Sequence, residues 1–129
     1  MKSQRDGREL LALVCHGSHC RGGAQEELCE ALRAAGVEVL PSRCLRVCKG
    51  PVAMFPVGNR WQVVARIRGG RARRKVVLAL TRQRQRGIRK RSVRGGRRRR
   101  AIERGTQAIL RRANLHPRLR SVVVRLVSR

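Results

Sequence analysis

Residues 60–129 carry twenty-five Lys and Arg against a single acid, Glu103, a net charge of +24, whereas residues 1–59 carry eight against six, a net +2. Self-repulsion at that density opposes a compact state built from the back half alone. A chain of 129 residues has room for one domain, or for a small domain with a tail. The abrupt shift in charge implies the second arrangement: a near-neutral front half that folds, followed by a polycationic extension with a separate role. Phe55 and Trp61 are the only aromatic residues, so any core must rest on Leu, Val, Ile and Ala.

No stretch approaches the ~18 consecutive apolar residues that span a bilayer. Met1 to Leu10 is polar and charged, unlike a secretory leader. The expected compartment is therefore the reducing cytoplasm, where cysteines serve as ligands or catalytic groups more often than as disulfides. The odd number of cysteines, five, agrees with that expectation.

Leu10–Val14 is a short apolar run suited to a buried strand, ending at Cys15. Glycines and small polar residues around Cys15 and Cys20 predict a loop. Ala24 to Ala35 reads as a helix with Leu28, Leu32 and Ala35 on one face. Glu26, Glu27 and Glu30 lie toward its positive end, and Gly36 supplies a stop. Val37–Leu40 alternates like a strand that Pro41 ends. Residues 52–57 and 60–67 are strand-like, with Gly58-Asn59 as a two-residue hairpin turn. Pro56 predicts an edge position for the first of these. A helix from about Arg71 to Gln85 places Ala72, Val76, Ala79 and Leu80 together. The order β-α-β-β-β-α predicts an α/β unit with a mixed sheet and flanking helices. Residues 86–100 read as a linker or disordered arm, Ala101–Ala113 as a helix, and Ser121–Val127 as a segment of strand propensity. The expected division is a domain at 1–85 and a basic extension at 86–129, partly helical or disordered.

Cys15 and Cys20 are separated by four residues, and Cys44 and Cys48 by three. Both pairs follow predicted strands, and two such loops side by side at one end of a sheet bring four thiols together. Four thiolates are the ligand set of a [2Fe-2S] cluster and equally of tetrahedral zinc. Zinc knuckles favour tighter C-x2-C turns, whereas a binuclear cluster accepts looser loops. Cys29, beside Leu28 and Leu32, reads as a buried, inert thiol. His16 and His19 flank the first pair as hydrogen-bond donors or solvent-facing groups.

The segments Val14-Cys-His-Gly-Ser-His-Cys-Arg-Gly-Gly23, Gln25-Glu-Glu-Leu-Cys-Glu-Ala-Leu-Arg33 and Cys44-Leu-Arg-Val-Cys-Lys-Gly-Pro-Val-Ala-Met-Phe-Pro56 resemble the thioredoxin-like [2Fe-2S] ferredoxins over about residues 9–82. The shared features are a first cysteine after the opening strand, a closing C-x3-C, and the Gly-Pro with a hydrophobic strand behind it. Asn59-Arg60-Trp61 falls where that family also has an aromatic-bearing strand. The resemblance implies a thioredoxin-like fold, cluster ligation by Cys15, Cys20, Cys44 and Cys48, one-electron transfer with a redox partner protein, and often homodimers. The helix opening Arg71-Ala-Arg-Arg-Lys75 departs from the family's usually acidic closing helix.

In the basic half, Arg89-Lys90-Arg91 and Arg97-Arg98-Arg99-Arg100 are the expected polyanion-binding residues, since the planar guanidinium grips phosphate and carboxylate in pairs. RNA or an acidic protein would serve as the partner. Without aromatic stacking residues, such binding is phosphate-driven and salt-sensitive. No acid/base pair or nucleophile arrangement supports an enzyme. The expected function is a [2Fe-2S] electron carrier with a polycationic docking tail. The alternative is a zinc-stabilised nucleic-acid-binding protein.

Overall fold

The computed structural model describes residues 10–17, 20, 22–112 and 117–127. The elements in order are β1 (Leu11–Cys15), α1 (Gly23–Ala34), β2 (Glu38–Ser42), β3 (Ala53–Val57), β4 (Arg60–Val64), α2 (Gly69–Arg82), a 3-10 turn (Arg89–Arg91), α3 (Gly95–Leu110) and α4 (Pro117–Val127). The strands form one mixed sheet in the order β2-β1-β3-β4. Strand β1 is parallel to β2 and antiparallel to β3, and β3 is antiparallel to β4. The chain is thus a mixed α/β fold, as its hydrophobic periodicity predicts.

Local chemistry explains the front half. Leu28, Cys29 and Leu32 form the buried stripe of α1, and Gly36, at φ 86°, turns the chain out of the helix. Val57 pairs with Arg60, leaving Gly58 and Asn59 as the predicted two-residue turn. The hairpin is clamped from α2: the Gly58 N–H donates to Gln83 Oε1 at 2.8 Å, and Gln83 Nε2 donates to the Pro56 carbonyl at 3.1 Å. Ala72, Val76, Ala79 and Leu80 are the buried residues of α2, as their spacing predicts.

Two proline readings are corrected. Strand β3 is interior, not an edge. Its pairing with β1 runs only through Ala53 and Met54, so the donor missing at Pro56 falls beyond that ladder. Strand β2 does not stop before Pro41 but continues through it to Ser42. It lies at the sheet edge, where a proline costs no ladder bond on the open side.

All five residues of β1 are buried because both faces of the sheet are covered. One face carries Ala12, Val14, Phe55 and Val64 against α1 and α2. The other carries Leu11, Leu13, Met54, Trp61 and Val63. These pack against Ala101 and Ile109 of α3 and Val123 and Leu126 of α4. Burial of each Leu, Ile, Val or Met side chain among these contributes about 1.5–3 kcal/mol. A bare second face would therefore forfeit an amount comparable to a whole domain's net stability of about 5–15 kcal/mol.

That cover overturns the reading of residues 86–100 as a disordered arm. The Ala65 N–H donates to the Arg91 carbonyl at 2.9 Å, and the Val93 N–H to the Val63 carbonyl at 2.7 Å. Residues 91–93 thus lie along β4 and cover its open edge. Helix α3 starts at Gly95, six residues before the expected Ala101. Residues 121–127 are helical rather than extended. Val123 and Leu126, three apart, both reach the core, and that packing outweighs the β-propensity of a valine run. Arg120 joins the two helices, donating to the carbonyls of Leu110 (3.0 Å) and Arg112 (2.7 Å) at the end of α3.

Helix α3 meets the sheet at Gly105. A Cβ there would lie 2.6 Å from Met54 Sδ and 2.9 Å from Leu13 Cδ2. Gly105→Val is therefore expected to lower stability by about 1–3 kcal/mol through overpacking. Urea unfolding followed by Trp61 fluorescence measures this, and an unchanged midpoint would place α3 elsewhere.

Candidate metal or cluster site

Strands β1 and β2 are parallel neighbours, with Cys15 opposite Ser42, so the loops that follow them leave the same end of the sheet. Cys15 closes β1 and Cys20 follows in its loop. Cys44 and Cys48 lie in the loop after β2. The two loops interlock through a reciprocal pair of glycines. A Cβ on Gly17, in the first loop, would fall 2.9 Å from Cys44 Cβ. A Cβ on Gly50, just after the second pair, would fall 2.5 Å from Cys20 Sγ. Each glycine leaves room for a cysteine of the opposite loop. The peptide between Gly50 and Pro51 is cis.

The sulfurs stand in two pairs. Cys44 Sγ and Cys48 Sγ are 3.9 Å apart. Cys20 accompanies Cys15, and its thiol pKa is pushed up to about 12, first by burial and then by the hydrogen bond and charge of Cys15. Cys44 acts on it too, more weakly. The Cys48 thiol is also raised, chiefly by its hydrogen bond with Cys44, with Cys15 contributing at longer range. Each of these two thiols thus feels a cysteine of the opposite loop. Cys15 and Cys20 are buried, Cys44 is half-buried and Cys48 is exposed, so the site opens to solvent at Cys48. Among the described residues, no three His, Cys, Asp or Glu side chains converge closely enough to hold a single metal ion.

Backbone donors point at the sulfurs. The Gly17 N–H reaches Cys15 Sγ at 3.4 Å and the Arg46 N–H reaches Cys44 Sγ at 3.2 Å. The Val52 backbone hydrogen-bonds Cys20 and favours its thiolate. Buried Gln25 donates to the Cys15 carbonyl at 3.1 Å, which ties the start of α1 to the site. His16 Nδ1 donates to the Val14 carbonyl at 2.9 Å, and His19 lies outside the described residues. Arg46 and Cys48 have φ of 67° and 57°. Left-handed backbone at non-glycine residues costs roughly 1–2 kcal/mol each, and this second loop sustains it twice within three residues. Cys29 is buried on the opposite face of the sheet, its thiol raised chiefly by desolvation.

Helix α3 forms one wall of the site, a role that its sequence did not suggest. Arg104 Nε donates to the Cys44 carbonyl at 3.1 Å, and Arg112 Nη2 to the Pro41 carbonyl at 2.9 Å. Six of the seven residues expected to bind polyanions divide between two grooves. Arg89, Arg98 and Arg99 line one of about 780 Å³ over the hairpin side of α3. Lys90, Arg91 and Arg97 line another of about 540 Å³ that also touches Val47 and Lys49. Arg100 lies apart, with Arg46 and Arg104. Arg98 is partly committed to the fold. It donates to the Trp61 carbonyl at 2.9 Å, and burial, followed by the charge of Arg60, lowers its pKa.

No family model, curated protein or solved structure matches this chain.

If the glycines make the site, Gly50→Ala displaces Cys20. Cobalt(II) binding, read from thiolate charge-transfer absorption, should then weaken about tenfold or more, the usual effect of disturbing a ligand's supports. Gly23→Ala, which meets nothing within 4 Å, is the matched control. Equal affinity in both variants would separate Cys20 from the site.

Proposed function

We propose that Cys15, Cys20, Cys44 and Cys48 hold a [2Fe-2S] cluster and that the protein is a one-electron carrier of the thioredoxin-like ferredoxin type. The observation that carries this reading is the interlocking of the two loops, with Gly17 against Cys44 and Gly50 against Cys20. The sheet order β2-β1-β3-β4, with β3 and β4 antiparallel, suits a thioredoxin-like fold.

The donor set fits the group. Two thiolates on one tetrahedral metal with bonds of 2.3 Å lie about 3.8 Å apart, close to the 3.9 Å of Cys44 and Cys48. A single zinc asks all four sulfurs to meet around one point, whereas a binuclear cluster takes them two by two. The paired arrangement favours the second. Backbone N–H groups directed at Cys15, Cys20 and Cys44 would stabilise thiolates and tune a bound cluster. The protons held by Cys20 and Cys48 would leave on ligation. Once bound, the cluster supplies one-electron redox chemistry. The protein's own contribution is to bury one sulfur pair and to present the other at the surface. It is a carrier in this reading, not a catalyst. The five free cysteines suit a reducing cytoplasm. The cations at 89–91 and 97–100 supply a docking surface for a polyanionic partner.

Anaerobically purified or reconstituted protein is expected to be red-brown, with two irons per chain and an EPR signal on one-electron reduction. A colourless protein with one zinc per chain would establish the zinc-stabilised alternative. Cys48→Ser, at the exposed ligand, should shift the visible bands and the EPR g-values, and unchanged spectra would remove Cys48 from the ligand set.

A further inference from the structure

From Val39 to Ile102 the chain contains no acidic residue. The acids of the front half that the structure describes, Glu26, Glu27, Glu30 and Glu38, lie on α1 and at the start of β2. Helix α1 covers the sheet face opposite α3. Cations occur on both faces, since α2 beside α1 carries Arg71, Arg73, Arg74, Lys75 and Arg82, but the second cysteine loop itself carries Arg43, Arg46 and Lys49 with no acid.

Three grooves share the second cysteine loop as a wall. The first, of about 720 Å³, runs from His16 and Cys44 along Arg43 to Arg104 and Arg112. The second is lined by Arg46, Arg100 and Arg104 with the single acid Glu103 among them, and the third begins at Val47 and Lys49. Arg43, Arg46 and Lys49 are exposed, as is Cys48 between the last two. None of the three has a carboxylate partner among the described residues. The cations therefore form a collar around the exposed end of the site. No Phe, Tyr or Trp side chain lines any of these grooves, and His16 is the one ring present, so they lack the row of stacking residues on which single-stranded nucleic acid rests. Arginine forks spaced around a small centre match the carboxylates of a protein surface.

We propose that this collar, centred on Cys48 and carried by Arg43, Arg46, Lys49 and Arg104, is the docking face for an acidic electron-transfer protein. The inference rests on the cluster reading for the partner's purpose, but the surface itself is testable without it. Charge complementarity steers the encounter, and the ring places the partner over the sulfur pair that reaches solvent. This is a sharper assignment than a basic tail, because three of the four residues belong to the front half of the chain.

The test uses the full chain and an acidic flavodoxin as probe, with equilibrium binding measured by calorimetry at low and moderate salt. The triple variant Arg43→Glu/Arg46→Glu/Lys49→Glu is compared with Arg82→Glu/Arg84→Glu/Arg86→Glu, which removes the same charge near the hairpin end of the sheet. The collar variant should bind at least about tenfold more weakly and the remote variant within about threefold of the parent, since rim charges act locally at a docked interface. Circular dichroism confirms that both variants are folded. Equal losses in the two variants would reduce the effect to net charge and overturn the proposal. So would an intact flavodoxin affinity in the collar variant accompanied by lost binding of a single-stranded oligouridylate, which would make the collar an RNA site. Iron content and EPR are read on the same samples. Collar-dependent binding by an iron-free protein would keep the surface and sink the cluster reading, whereas an intact cluster without collar dependence would do the reverse.

Discussion

The close approach of α3 to the sheet at Gly105, against Leu13 and Met54, is the contact on which the rest of the structure depends. It closes the second apolar face, and burial of Leu11, Trp61 and Val63 supplies the free energy that holds a helix of clustered arginines in place. No acid lies in the first turn of α3 to offset either the arginines or the positive end of its dipole. Packing, not helix electrostatics, therefore fixes this element. Once seated, α3 reaches the cysteine loop through Arg104. The basic segment is thus a structural layer of the fold as well as a charged surface.

The front half was legible because its periodicities are plain. Leu28 and Leu32 mark α1, Ala72 to Leu80 mark α2, and Gly58-Asn59 marks the hairpin. What escaped was the need for a second layer. The runs Leu11–Val14 and Val52–Val57 do not alternate with polar residues, which signals burial on both faces, yet the domain predicted at 1–85 holds only two helices to cover them. Helix α3 hides its buried stripe in small residues, Ala101 and Gly105 before Ile109, set among arginines. Helix α4 hides in a valine run whose local propensity is extended. The cysteine pairs were readable from spacing. Gly17 and Gly50 were not, because a glycine's role in close approach appears only when another part of the chain is placed against it.

The site reconciles two opposed requirements. Burial, at Cys20 above all, and close-set sulfurs, at Cys48 above all, resist thiolate formation, as the two raised thiols show. The loops answer with backbone N–H groups at short range and guanidinium groups at longer range, and both favour negative sulfur. The same cations that suit thiolates suit an acidic visitor, so the electrostatics that would hold a cluster also shape what can approach it. The gradient from buried Cys15 and Cys20 to exposed Cys48 gives that approach a direction.

The central claim is that the interlocked loops make one binuclear sulfur site. X-ray absorption at the iron edge of the anaerobically prepared full chain tests it most directly. The account predicts a shell of sulfur neighbours at each iron together with a short iron–iron scattering path. A sulfur shell with no metal–metal path, or absorption at the zinc edge in place of iron, would contradict it.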